Sequence, residues 1–252
     1  MHAAACGFVM IIEYAYSRIL VISAVVPAIA LLIYVYNKDR REKEPAGLIL
    51  SLVFLGIIST FLAVVAETIG EGILEAFSTD YDLTYLIIDN FIVVGLSEEY
   101  CKYIVMKKRT WKNANFNCSF DGVVYAVAVA MGFALWENIA YVFEYGFGTA
   151  VLRAVTAVPG HASFGVFMGI WYGMAKKASI QGDNRKSKSL RRTAVLLPAF
   201  IHGMYDFLAS IEDEDYSLLF FPFVIILFII TFKKVKQASL DDEYITPSNT
   251  GV

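Results

Sequence analysis

Glu98, Glu99 and Lys102 sit in the stretch EEYCK, directly after the apolar run LTYLIIDNFIVV of residues 83–94. An ionisable side chain at the centre of a bilayer costs about 2.5–3.5 kcal/mol by insertion scales, so it faces a partner or a water-filled cavity. The other apolar runs can be searched for groups of the same kind. Asp89 precedes the pair of glutamates, Glu137 with Asn138 and Glu144 lie in the next run, Arg153 and His161 in the one after, and His202 and Asp206 in the one after that. The first, second and last apolar runs carry essentially none in their interiors. Polar chemistry is thus confined to four consecutive segments.

Peptide hydrolysis needs an activated water, a group that stabilises the oxyanion and a proton for the leaving amine. A glutamate in a partly dry pocket can act as the base. A second carboxylate beside it can hold the water or share the proton. Histidines can donate to the oxyanion or bind a metal. Glu98, Glu99, Glu137, His161 and His202 are therefore the candidate catalytic residues, with Lys102, Asp206, Asn138 and Phe133 in support. Glu98, Glu137, His161 and His202 form a candidate ligand set for a divalent metal such as zinc.

Helical spacing supports convergence. Glu98 and Lys102 are i,i+4 and can pair, as are His202 and Asp206, while Glu99 lies about 100° round from Glu98. Phe133, Glu137 and Tyr141 form one stripe, and His161, Gly165 and Gly169 another, where glycines admit a neighbouring backbone. Gly132 and Gly203 can do the same. At about 1.5 Å per residue, Glu98 and His202 lie roughly 12 Å from one end of their segments and Glu137 and His161 roughly 21–22 Å. Four helices can then share one pocket. Taken singly, each feature has a plainer reading: Glu98–Lys102 as a structural ion pair, a histidine as a helix–helix hydrogen bond, Cys101 as a small membrane-helix residue.

The elements that must position these groups are membrane helices. The chain has 252 residues, 58% hydrophobic and only 18% charged, with a mean hydropathy of +0.58. Its apolar residues fall in long blocks, as in a polytopic all-α protein. Seven spans are predicted, near 19–36, 46–66, 84–106, 122–145, 150–175, 194–210 and 217–232. Residues 1–18 read as an interfacial segment, 19–235 as one transmembrane domain and 236–252 as a cytoplasmic tail, disordered from DDEYITPSNTGV onward. Seven spans place eighteen of the 21 basic residues on one side. The positive-inside rule makes that side cytoplasmic, with the N-terminus outside. Asp89, Glu144 and Arg153 fall nearer the outer ends and read as interfacial or structural. The cysteines, Cys6, Cys101 and Cys118, imply no disulfide framework. The basic loops read as topology signals, not as a nucleic-acid surface.

The motifs EEYCK, FALWE followed by NIAY, HASFGVFMG and HGMYD come in this order on successive spans. Together with the loop DRREKEP they resemble the PrsW family of intramembrane proteases, related to the CAAX prenyl endopeptidases and bacteriocin-processing enzymes. The resemblance covers roughly residues 20–232. It departs from the wider group in having Lys102 at a shorter spacing, Glu137 in place of a histidine and Asp206 in place of an asparagine. Those departures argue against a prenyl-protein substrate. The resemblance implies an intramembrane peptidase with its site between spans 3 and 6. It also implies a single-span membrane-protein substrate, an anti-sigma factor in the best-known role. The family is often described as metalloprotease, yet the chain has no HExxH. Metal-dependent and glutamate-only hydrolysis both fit the residues. A proton-coupled transporter or channel would use mid-membrane carboxylates and histidines too. A catalytically inert scaffold would not need Glu98, Glu99, His161 and His202 intact.

Overall fold

The computed structural model describes residues 2–77, 82–211 and 218–247, with side chains from residue 17 onward. Its elements are α1 (His2–Lys38), α2 (Ala46–Phe77), α3 (Leu83–Ile88), a π-helical stretch (Asp89–Leu96), α4 (Ser97–Thr110), α5 (Asp121–Tyr145), α6 (Phe147–Val155), α7 (Ala157–Ile180), α8 (Asn184–Ser210) and α9 (Phe220–Leu240). Among the described residues, four stretches are long and apolar enough to cross a membrane: Ser17–Lys38, Ala46–Phe77, Asp121–Tyr145 and Phe147–Ile180. The other expected spans correspond to α3–π–α4, α8 and α9. Each of those carries charge along its length, from Glu98, Glu99 and Lys102, from Arg191 and Arg192, and from Lys233 and Lys234.

The bundle is organised around α5. Every residue from Asp121 to Ala134 is buried, and the segment is rich in Val, Ala and Gly. Apolar side chains gain nothing by leaving lipid, so close backbone approach has to hold such helices together. Gly132 and Gly56 provide it against α2. A Cβ on Gly132 would lie 2.0 Å from the Val53 carbonyl oxygen, and one on Gly56 2.1 Å from that of Val129. On the other side of α5, a Cβ on Gly169 of α7 would meet the Val123 Cα at 2.4 Å. Outward faces keep large apolar side chains such as Leu50, Phe54, Ile225 and Ile229 exposed, as lipid contact requires.

Four local expectations change. The fifth span, placed at 150–175, is two helices. Thr156 (φ −121°, ψ −70°) separates α6 from α7, and Pro159 has no N–H to bond the carbonyl four residues back. At the N-terminus, no break divides an interfacial segment from the first span, since α1 is continuous from His2. The basic loop 176–193 shrinks to a turn because α8 already begins at Asn184, where Asp183 accepts from the Lys186 N–H as a cap. Finally, the tail is not loose at its start. Tyr244 bridges to Cys118, the Ile245 N–H donates to the Asn117 carbonyl and the Ser119 N–H to that of Glu243. Residues 248–252 lie outside the described part.

Candidate active site

Lys102 is the centre of the site. Its Nζ donates to Glu98 Oε2 at 2.9 Å and to Glu99 Oε1 at 2.7 Å. The Phe133 ring of α5 lies under the ammonium at 3.9 Å from its centroid. Glu99 and Lys102 are essentially sealed, at 0% and 1% exposure, and Glu98 is 6% exposed. Glu99, offset from Glu98 round the helix, still reaches the same amine because i,i+3 neighbours share a face.

Two histidines enter from α7 and α8, with ring centroids 5.3 Å apart. His202 is brought in by a backbone contact. A Cβ on Gly203 would meet the Phe91 Cα at 2.7 Å, and one on Gly95 the Gly203 N at 3.0 Å. This packs α8 directly on the π-helical stretch ahead of the glutamates. His202 Nδ1 lies 3.1 Å from Glu99 Oε1 and its Nε2 3.1 Å from Asp206 Oδ2, and Phe164 stacks on the ring at 4.5 Å. His161 Nδ1 is 3.3 Å from Lys102 Nζ. An ammonium has only hydrogens to offer, so Nδ1 accepts. The His161 Nε2–H then donates to Glu137 Oε2 at 2.7 Å.

Glu137 is tied down from behind. Arg153 of α6 reaches its Oε2 at 2.9 Å and donates from Nε to Asn138 Oδ1 at 3.1 Å. Asn138 passes the connection to the Ala24 carbonyl of α1 at 3.0 Å. Asn138 thus supports the site without facing it. Arg153, expected to be interfacial, is instead part of this network. Glu144 is exposed.

A cavity of about 550 Å³ borders the cluster, lined among others by Glu98, Glu137, His161, His202 and Asp206. Glu99 is not in its wall. The cavity runs past Glu67, Glu71, Asn90 and Ser210, toward the ends of α2 and α8 away from the basic loops. Glu67 lies one residue beyond the expected second span of residues 46–66, yet inside α2. Its Oε1 is buried without a partner. The expected span ends at residue 66, whereas α2 continues to Phe77. The signal was present as a helical stripe: Thr60, Ala63, Val64, Glu67 and Glu71 all line the cavity.

Glu98, Glu99, His161 and His202 offer ligand atoms that all lie within 4.8 Å of one another. Two carboxylates and two imidazoles suit a divalent ion such as zinc. Glu137 stands one step back, behind His161. In this arrangement the Lys102 ammonium lies among the same donors, so a metal ion would have to displace it.

A model of the PrsW family of intramembrane metalloproteases matches residues 44–232, which hold every residue of this cluster. The chain belongs to that family. It is 34% identical to a protein named Protease PrsW from Oceanobacillus iheyensis, over 86% of this chain and 94% of that one. Proteins of the same name from Geobacillus kaustophilus and Bacillus subtilis are each 33% identical. They match over 87% and 86% of this chain and 92% and 95% of their own lengths. No solved structure matches it. As a PrsW family member the chain is an intramembrane protease, a hydrolase carried on a multi-pass helix bundle.

Proposed function

We propose that the protease cuts a peptide bond of a single-span membrane protein, such as an anti-sigma factor, using water activated by Glu98. One observation carries this reading: of two adjacent carboxylates, Glu98 lines the cavity and Glu99 does not. In the proposed reaction Glu98 takes a proton from a cavity water as its oxygen attacks the carbonyl carbon. The oxyanion forms beside His202. When the C–N bond breaks, Glu98 returns the proton to the leaving amine, giving a carboxylic acid and an amine. Lys102 and Glu99 position Glu98, and Glu137 and Arg153 fix His161. A divalent ion, where bound, would be held by Glu98, Glu99, His161 and His202 and would supply Lewis acidity.

With the basic loops cytoplasmic, the N-terminus lies outside and the C-terminus inside. The cavity then takes water from the outer face.

The test is cleavage of a panel of single-span membrane proteins by wild type and Glu98→Gln, both purified in detergent and checked for folding. Wild type should cut, and Glu98→Gln should lose at least a hundredfold in rate. Cutting by Glu98→Gln at the wild-type rate would sink the proposal. Metal analysis of both preparations decides between the two modes of water activation.

A further inference from the structure

The opposite face of α4 carries a second cavity, of about 830 Å³, between α2, α4 and α8. Its two ends differ in chemistry. One end is basic, with Lys107 from α4 and Lys188, Arg191 and Arg192 from α8. The other is apolar, with Tyr100 and Leu196 in its wall, each more than half exposed. No carboxylate lines the cavity. Among the described residues, none of the four cations forms an ion pair with an acid. Arg191 lies over the Trp111 ring at 5.0 Å, and its buried Nε has no acceptor.

The dimensions suit a lipid. From Lys188 to Leu196 and from Lys107 to Ser97 the helices rise roughly 12–15 Å, about half the hydrocarbon thickness of a bilayer. A ligand anionic at the basic-loop end and apolar for one leaflet's depth is an anionic phospholipid. A substrate helix fits less well. A cylinder about 10 Å wide and 30 Å long occupies roughly 2400 Å³, and acidic flanks would be needed on it.

We propose that this groove is a binding site for an anionic glycerophospholipid of the leaflet on the basic-loop side. Lys107, Lys188, Arg191 and Arg192 hold the phosphate, and an acyl chain lies along Tyr100 and Leu196. The inference does not rest on the peptidase reading.

Native mass spectrometry of the full chain in detergent tests it, with phosphatidylglycerol, phosphatidylcholine and glycerol phosphate as probes. Phosphatidylglycerol should be retained on the order of tenfold better than phosphatidylcholine, and glycerol phosphate should not be retained. Lys188→Glu/Arg192→Glu should abolish the preference, and the equally charged Lys233→Glu/Lys234→Glu on α9 should keep it. Should the first variant not fold, Leu196→Trp, which fills the apolar slot, should weaken retention of both lipids. Equal retention of the two lipids, equal loss in both charge variants, or retention of glycerol phosphate would overturn the proposal. So would an acidic-flanked single-span peptide that displaces phosphatidylglycerol and cross-links to Cys101.

Discussion

Two groups of buried carboxylates among the described residues are treated differently. In the candidate catalytic cluster Glu98 and Glu99 share Lys102, and Glu137 has Arg153 and His161. At the basic-loop end, Asp39, Glu44, Asp121 and Asp242 are each buried to 3% exposure or less. There each keeps an oxygen without a partner, and Asp39 keeps both. The nearby cations are spent on backbone: Lys43 on the carbonyls of Tyr36 and Asp39, Arg41 on that of Asp242. Burial, with Asp242 adding to it, pushes Asp39 up to about 6 against the pull of Lys43. Burial, with Asp39 adding to it, pushes Glu44 up to about 7. The first region sets a basic side chain within 3 Å of each carboxylate. In the second, burial raises Asp39 and Glu44 instead, and Asp242, which accepts from the Phe120 N–H, fastens the end of α9 to the loop before α5.

The sharpest way to break the first region is Lys102→Met. Sealed Glu99 and cavity-lining Glu98 would lose their one ammonium, a change that costs about 3–5 kcal/mol in buried pairs. The expected result is loss of cleavage together with a large fall in thermal stability in detergent. An unchanged melting temperature would show that the pair is not held by the amine. A smaller effect follows from Gly203→Ala. The added methyl would strike the Phe91 backbone and push His202 away from Glu99. Misplacement by about 1 Å can cost about a hundredfold in rate, so kcat should fall with the fold retained. Gly148→Ala, where a methyl meets nothing within 4 Å, should leave the rate alone.

The second region is sharpened by pH. A carboxylate whose pKa is raised in the folded state stabilises most below its ordinary value near 4, and that contribution is lost as pH rises through the folded value. Thermal stability should therefore decline between about pH 4 and about pH 7, from the ordinary carboxylate value up to the folded values of about 6 for Asp39 and about 7 for Glu44. The double substitution Asp39→Asn/Glu44→Gln should flatten that decline. Stability that rises over the same interval would contradict the comparison. The smallest effect is expected from Asp39→Asn alone at pH 5, below the folded value of about 6. It replaces a largely protonated acid with a neutral amide and should shift the melting temperature by only a degree or two.

The convergence of the Glu/His/Lys cluster could be read from the sequence because its logic is local. Glu98 and Lys102, His202 and Asp206, and the stripe through Phe133 and Glu137 are set by helical spacing, and each segment is apolar enough to stand out. What escaped depends on where helices end. Glu67 lies one residue past the expected membrane boundary, and Arg153 falls in an expected span that Thr156 and Pro159 divide. The acidic region escaped for a different reason. Asp39, Asp121 and Asp242 come from chain segments far apart, and nothing in loop composition says that three connections meet.

The π-helical stretch has a consequence of its own. Its wider turns fix the rotational phase of everything after Leu96. In an α-helix each residue turns the chain by about 100°, the same angle that separates Glu98 from Glu99. Which glutamate meets water is thus decided upstream, by hydrogen-bond pattern between Asp89 and Leu96, and not by either side chain. The stretch acts as a dial whose step is the angle between the two candidates for base. Shortening it by one residue would turn the whole EEYCK block together, bringing Glu99 to the place of Glu98, Tyr100 to that of Glu99 and Lys102 out of its own, without changing any of these side chains.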